Sequence, residues 1–576
     1  MRALKIIFIC SVLTGLMACD QVGEDIDQKL AEKVFLAEKI YTVDTANPIA
    51  DAVAVKNGRI IYVGSSQGVG EYIGSSTQIV DLKGATMFPG FTDGHAHLLG
   101  IGNRERTLNL EGAQSIEEVR ERLSQALKAA PKGSVLYGRG WIETHWPEAR
   151  FLTMNDIEDI SEDNPVVLTR ADGHALVANS MAMRMAGIDK NTPNVAGGEI
   201  YKDEAGEPNG LFVDNAQFAL LALTGQSRFE NKDVAFVTAG EVYSSRGWTG
   251  IHNMSVDPAD VSMLERLADK GQLSLRVYNS IDMVSGGNVN NLAVGRLINE
   301  GPRFSRNGQV ITRAIKMYID GALGSRGAAL LAPYSDDPSN VGLMRSQKQD
   351  VMPVLIGALR AGVQINAHAI GDRGNRELLG WFEEAFDAVP RAERTIAEPR
   401  WRDEHTQILN PDDLARFVEL GIIPSMQASH AIGDMFFAPD RLGADRLIGA
   451  YAWQSLLNTG SIIVGGSDAP VEQGDPRIEF YAATARMWLD GFYDDNWHRE
   501  EAVSREDALK MFTIWPAYAS FQDDNLGSIE VGKVADFTVF SGDIMTIPFE
   551  GILKVETVMT VIDGEIIFNA GEVAVN

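Results

Sequence analysis

Eight short apolar runs, each followed by a stretch of helical periodicity, constrain the fold of this chain more than any other feature. They are Phe88–His97, Gly247–Ser255, Leu273–Ser280, Thr312–Asp320, Gly362–Ala369, Arg400–Thr406, Gly421–Gln427 and Ser461–Asp468. Strands that alternate with helices pair in parallel, and eight such units close into a (β/α)8 barrel of the α/β class. Between the first and second runs lie residues 99–242, far more than an ordinary strand-to-helix loop holds. That insertion has its own segments: a helical run from Ser115 to Ala129, the strand-like Leu136–Trp141, and a run from Val166 to His174. Loops that follow barrel strands surround the barrel mouth, so residues 99–242 are expected to roof it.

The two ends of the chain are written differently. Residues 33–87 are short, β-rich and punctuated, and Asn57-Gly58 between two apolar runs is a strong hairpin signal. Residues 521–576 repeat that style in Val534–Phe540 and Val558–Phe568, with Asp563-Gly564 at a turn. Together the ends are expected to build one small β-sandwich beside a barrel domain of residues 88–520. Two unrelated β appendages are the plain alternative.

Ahead of them, Arg2 and Lys5 precede a mostly apolar run, Ile6 to Met17, too short to span a bilayer. It ends in Leu16-Met17-Ala18-Cys19, which resembles the lipobox of bacterial lipoproteins. Residues 1–18 therefore read as a signal peptide, Cys19 as the lipidated residue, and 19–32 as a polar tether. An ordinary secretion signal cleaved near Ala18 is the alternative. The expected protein is exported and lipid-anchored to the bacterial membrane, facing the periplasm or cell exterior. The chain has 2 cysteines, and Cys10 would leave with the signal, so no disulfide is expected.

The length of 576 residues and a hydrophobic share of 45% suffice for a large core and an added domain. Formal net charge is −28, and losing residues 1–18 would remove two cations and no anion. Such a surface repels nucleic acid. The acidic excess is spread along the chain, which suits solubility more than recognition. A small-molecule substrate is the expected partner, and a homo-oligomer stays open.

Active residues in barrels of this kind sit at the C-terminal ends of the strands, and the ligand-type residues here obey that placement. His95 and His97 end the first run. Side chains i and i+2 of a strand share a face, so the two imidazoles can converge as half of a zinc-type site. Gly94, just ahead of them, is read as letting the backbone come close to whatever they hold. In the fourth run Lys316, Tyr318 and Asp320 share one face. A lysine buried there is costly while charged. Carbamylation by CO2 relieves that cost and makes a carboxylate able to bridge two metals; a buried salt bridge to Asp320 relieves it too. His368 ends the fifth run, His405 the sixth and Asp468 the eighth. Each alone suits a commonplace role, as a core histidine or a turn-capping aspartate. Six such residues at the same end of five strands make a pattern that separate commonplace roles do not explain.

The order His-x-His, Lys, His, His, Asp resembles that of the metal-dependent amidohydrolase superfamily. The stretches around it are similar to amidohydrolase family 3, the YtcJ-like group that includes N-substituted formamide deformylase. They are FPGFTDGHAH, YGRGW, RADGHALVANS, GGEIYKDEAGEPNGL, IKMYIDGALGSRGAAL, INAHAIGD, DEHTQIL and GGSDAPVE. The resemblance implies a hydrolase of a non-peptide C–N bond in an amide, an N-acyl or N-formyl amine, or a cyclic amide. It implies two divalent metals, zinc by default, with manganese, iron or nickel as alternatives. His95, His97 and Asp468 would hold one, His368 and His405 the other, and carbamylated Lys316 would bridge them. Without the carbamate, a mononuclear site is the better reading. Hydroxide activated by the metals would attack the carbonyl, Asp468 would carry the proton to the leaving amine, and His430 would donate to the oxyanion.

Asp93 is expected to hold a ligand imidazole from behind. Expected substrate contacts are Tyr318, then Arg139, Trp141, Asp172 and His174 from the roof, and Arg326 from the glycine-rich loop 321–327, with loop packing as the alternative for each. That loop lacks a Walker-type ending. Ala428 stands where many relatives carry proline, a departure in the pocket wall. Two competing readings are a metal-dependent esterase, lactonase or phosphotriesterase on the same barrel, and a non-catalytic lipid-anchored binding protein.

Overall fold

The structure is a computed structural model that describes residues 29–143, 146–171, 173, 175–195, 198–224, 231–285, 288–289 and 291–571. The expected signal peptide, Cys19 and most of the tether lie outside these residues, as do Asp172 and His174.

Eight parallel strands form the barrel: Phe91–Ala96, Trp248–Val256, Arg276–Asp282, Val310–Tyr318, Gln364–Ala369, Arg402–His405, Ile423–Gln427 and Val464–Gly466. They are hydrogen-bonded in chain order from the first to the eighth, and each falls within or across one of the eight runs. Their residues are almost wholly buried because helices cover the outside and side chains fill the inside. The first run is in fact two strands. Thr86–Pro89 belongs to the terminal sheet and Phe91–Ala96 to the barrel. At Gly90 between them a Cβ would lie 2.3 Å from Thr249 Oγ1.

Strands 1 and 8 meet through individual contacts at their C-terminal ends. The Asp468 N–H donates to His95 O at 2.6 Å, and the His97 N–H to Ala469 O at 2.8 Å. A Cβ on Gly94 would lie 2.2 Å from Val464 Cγ1 and 2.5 Å from Gly465 O, and one on Gly466 would lie 2.5 Å from the His95 nitrogen. The expectation for Gly94 is therefore corrected: its missing side chain makes room for the backbone of strand 8 and not for a ligand.

Both chain ends build one eight-stranded sheet. Its strands are Lys33–Tyr41, Ile49–Lys56, Arg59–Gly64, Gln78–Asp81 and Thr86–Pro89, with Phe537–Phe540, Thr557–Ile562 and Glu565–Asn569. Strand Lys33–Tyr41 forks, pairing with Gln78–Asp81 in its first half and with Thr86–Pro89 in its second. The apolar interior draws on both ends: Phe35 lies edge-on to Phe537, with Val53, Val80, Met87, Val539 and Val561 around them. Two separate appendages are thereby excluded. Asn57 and Gly58 both have positive φ, 49° and 71°, as do Asp563 and Gly564 at 54° and 74°. These are the left-handed turns that two-residue hairpins need.

Within residues 99–242 a second sheet runs in the order Gly198–Lys202, Pro208–Asp214, Ala175–Ala178, Val166–Arg170, Leu136–Trp141, Leu108–Asn109. Helix Ile116–Ala129 is capped by the Ser115 hydroxyl, which accepts from the Glu118 N–H. Its apolar side, Val119 and Leu123, packs with Trp141 and Leu168 in the insertion's own core.

Candidate metal centre

The ligand-type residues meet at the C-terminal mouth of the barrel. The ring of His95 stands 4.7 Å from that of His405, which stands 4.6 Å from that of His368. Asp468 Oδ1 is 3.0 Å from His97 Nε2 and 3.5 Å from His95 Nε2. One ligand atom each from His95, His405 and Asp468 lie within 4.8 Å of one another, and all three residues are buried. Such a set can hold a metal ion. It crosses the expected partition, in which His405 served a different metal from His95 and Asp468.

Three of the imidazoles are held from behind, which decides the nitrogen each turns inward. His95 Nδ1 donates to Glu404 Oε2 at 2.6 Å, His97 Nδ1 to Met254 O at 3.2 Å, and His405 Nδ1 to Gln427 Oε1 at 2.8 Å. A ring nitrogen that donates backward leaves the other with its lone pair free for a metal. Burial, followed by the Lys316 charge, lowers His95 to about 4 and His368 to about 3. Both are neutral at pH 7, the state a ligand requires. Burial pushes the Asp468 carboxyl up, but the imidazoles of His95 and His97 more than reverse this and hold it well below the ordinary range.

Behind His95 lies a charged cluster that was not anticipated. Arg402 is ion-paired with Glu404, its Nε 2.7 Å from Oε1, and its Nη2 donates to Oε2 at 3.0 Å. The guanidinium also donates to Gly94 O at 2.6 Å, Ser425 Oγ at 2.7 Å and His252 Nδ1 at 2.6 Å. Burial alone would raise Glu404; Arg402 outweighs it and keeps the carboxyl at about 2. Because His95 is neutral, Arg402 is the charge that secures Glu404 as an anion. The signal for this pair was a charged residue at both i and i+2 of a barrel strand.

Lys316 is 1% exposed, and burial lowers its pKa despite Glu404 and Asp468 nearby. Its Nζ lies 5.2 Å from the centre of the Tyr318 ring. The alternative salt bridge to Asp320 does not form. Instead the Asp320 carboxylate accepts the N–H groups of Ala329, Ile370 and Gly371 at 2.8 to 2.9 Å. Asp93 is also corrected. It accepts the His95 and Ser467 N–H groups and the Ser467 and Tyr243 hydroxyls, so it grips backbone and not an imidazole.

His430, on helix Ala428–Asp434, places Nε2 3.9 Å from Asp468 Oδ2 and 3.8 Å from Glu472 Oε1. Tyr318 bonds its hydroxyl to Ser255 Oγ, and its ring centre is 5.9 Å from that of His368. Other expected contacts are not gathered here. Trp141 is fully buried in the insertion core and donates to Leu168 O, so it is a packing residue and not a substrate contact. Arg139 donates to Ala171 O at 2.8 Å, and Arg326 is paired with Asp336 at 2.8 Å.

Comparison with known proteins agrees with this geometry. A model of the amidohydrolase family matches residues 78–568. Putative amidohydrolase YtcJ of Bacillus subtilis (strain 168) is 32% identical over 535 residues, covering 92% of this chain and 98% of that protein. N-substituted formamide deformylase of Arthrobacter pascens is 26% identical over 555 residues, 93% of this chain and 98% of that one. The crystal structure of an uncharacterized metal-dependent hydrolase from Pyrococcus horikoshii OT3 superposes with a TM-score of 0.71 at 25% identity, covering 90% of this chain and 99% of that one. The chain belongs to the amidohydrolase family and is a hydrolase.

Proposed function

We propose that this enzyme hydrolyses a non-peptide C–N bond, that of an amide, an N-acyl or N-formyl amine, or a cyclic amide, at a centre of divalent metal. The observation that carries the proposal is a set of buried ligand atoms without hydrogen-bond partners. His95 Nε2, His368 Nε2 and Asp468 Oδ1 are all of this kind. Leaving a buried polar atom unpaired costs about 1–3 kcal/mol, and three in one mouth fit cations better than chance defects. The likeness to N-substituted formamide deformylase along 93% of the chain supports the choice of a C–N bond.

His95, His97, His405, His368 and Asp468 would hold the metal, zinc by the imidazole and carboxylate donor set. Lys316 joins them as a carbamate if two ions bind, since a buried lysine with a lowered pKa is a nucleophile for CO2. Bound divalent ions supply Lewis-acid polarisation of a carbonyl and lower the pKa of water toward neutrality. The chain's own groups do the rest. Asp468, an anion held beside His97, takes the proton from the attacking water and returns it to the leaving amine. His430 points an N–H into the mouth, where it can donate to the oxygen that gains charge. Tyr318, kept in place by Ser255, walls the mouth on the fourth strand's side.

The decisive experiment is a panel of N-formyl amines, N-acyl amines, N-acyl amino acids, cyclic amides, lactones and phosphotriesters offered to zinc-loaded protein. Amide turnover that stops on chelation is the expected result. Turnover confined to lactones or phosphotriesters would overturn the C–N assignment. We also propose that the mature chain is exported and held to the membrane through Cys19. Cys19→Ser should release it from the membrane fraction or leave it unprocessed, and attachment that survives the substitution would refute the anchor.

A further inference from the structure

Arg345 stands at the mouth with its charge unspent. Its backbone N–H donates to Ile319 O at 2.7 Å, which fixes the residue just past the end of the fourth barrel strand. Its guanidinium carbon lies 5.0 Å from the centre of the Tyr318 ring, whose other measured neighbours are Lys316 Nζ at 5.2 Å and the His368 ring at 5.9 Å. At most two such ring-scale steps therefore separate the guanidinium from a candidate ligand. Arg345 is also exposed, so a ligand can reach it.

Several other arginines near this end are engaged. Arg326 and Arg441 share Asp336, Arg139 donates to Ala171 O, and Arg402 is locked to Glu404. Among the described residues, Arg345 has no carboxylate within ion-pair distance and no acceptor for its guanidinium. The chain holds 79 acidic residues against 51 lysines and arginines, so a cation at the mouth without an internal anion is against expectation. The opposite wall carries acidic side chains that burial pushes toward their neutral form. Glu472 stands beside His430, and Asp434, on the same helix as His430, accepts the Tyr451 hydroxyl. An anionic substituent would be drawn to the exposed guanidinium of Arg345, on the side of the fourth strand.

We propose that Arg345 is a specificity residue that binds a carboxylate on the substrate, so that the preferred amides are acylated amino acids. The guanidinium fork matches a carboxylate with two parallel N–H donors, and the Tyr318 face keeps the fork oriented. This rests on the amide-hydrolase reading above and narrows it. A carboxylate seated at Arg345 would anchor the amine portion and present the scissile carbonyl to the histidines and Asp468.

The test compares N-acetyl amino acids with the matching N-acetyl amines that lack the carboxylate. Wild type should prefer the former, mainly through KM. Arg345→Gln should lower that preference about 10- to 100-fold, the worth of a hydrogen-bonded charge pair, and Arg345→Lys should keep part of it. A preference that is absent in wild type, or equal in Arg345→Gln, overturns the proposal. Calorimetric binding of an N-acetyl amino acid to the zinc-loaded Asp468→Asn enzyme gives a second arm that needs no turnover. Binding weakened by adding Arg345→Gln supports the assignment, and absent or unchanged binding overturns it. If no amide is hydrolysed at all, the activity reading falls while this arm still decides the role of Arg345.

Discussion

The Asp93 carboxylate accepts the backbone N–H of Ser467 at 2.9 Å and its hydroxyl at 2.6 Å, fastening the first barrel strand to the segment that delivers Asp468. The His95 N–H at 3.2 Å and the Tyr243 hydroxyl at 3.1 Å complete its partners. Asp93→Ala would strand these buried donors together. Urea denaturation should show a loss of about 3 kcal/mol or more, since each buried donor left unpaired costs about 1–3 kcal/mol. Ser467→Ala removes one hydroxyl and should cost about 1 kcal/mol. Equal stability of Asp93→Ala and wild type would show that strands 1 and 8 are held by packing alone.

Glu404→Gln tests the carboxylate behind His95. The amide keeps the size but loses the charge that Arg402 secures and the second acceptor that His95 Nδ1 needs. Partners that orient a ligand histidine are worth about 10- to 100-fold in metal affinity, so zinc competition with a chelator should show a loss of that order. Activity should return when zinc is in excess, because Glu404 acts through His95 and not on the substrate. Zinc affinity equal to wild type would assign the pair to folding only.

Asp468 is given two duties, and Asp468→Asn separates them. The amide oxygen can still face a metal, but it cannot take a proton. kcat should fall by about 10²–10⁴-fold, while metal analysis after dialysis finds occupancy largely kept by the histidines. His95→Ala should lose metal and activity together. High activity in metal-bound Asp468→Asn would move the proton shuttle to His430.

Lys316→Ala asks whether the lysine bridges. A bridging group serves both ions, so stoichiometry by mass spectrometry should fall, and added short carboxylic acids should restore part of the activity. A variant that keeps two tightly bound ions would show that Lys316 is a packing residue.

Glu479 gives a pH signature away from the metal ligands. It is fully buried, accepts the Ser429 N–H on one oxygen, and leaves the other unpaired. Burial raises its pKa from 4.5 to about 8. Between those values the folded state keeps a proton that the unfolded state has released, so this group's contribution to stability falls as pH rises through the window. Glu479→Gln removes the slope. The variant should match wild type near pH 4 and gain on it up to about pH 8, by more than about 1 kcal/mol given 1.4 kcal/mol per pKa unit. Parallel stability curves from pH 4 to 9 would contradict the buried acid.

The barrel was legible because its runs are long, apolar and evenly spaced, and the ligand positions because they end those runs. Strict alternation could not show how two adjacent residues serve one point. Glu404 and His405 both reach His95, although side chains i and i+1 of a strand face opposite ways. The explanation is His405 itself, with φ at 81°, followed by Thr406 at 46°. That backbone lies in a region non-glycine residues seldom adopt, at a cost of about 1–3 kcal/mol. Asp468, with φ at 60°, is delivered in the same way. The role of Asp93 was misread because its partners lie 374 positions away at Ser467 and 150 away at Tyr243, beyond any local pattern.

The forked sheet built from both ends also sets the order in which the protein can be completed. The N-terminal strands leave the ribosome early, and Thr86–Pro89 pairs at once with Lys33–Tyr41, yet its other edge is covered only when Phe537–Phe540 arrives. Thr538 then donates from its side chain to Gly247 O and receives the Phe91 N–H, across 291 and 447 positions. Until that moment a growing chain carries an open strand edge, the kind of surface on which chains aggregate. A nascent chain that stalls anywhere in the barrel is therefore an unfinished sheet, and its last strands close both the fold and the period of risk.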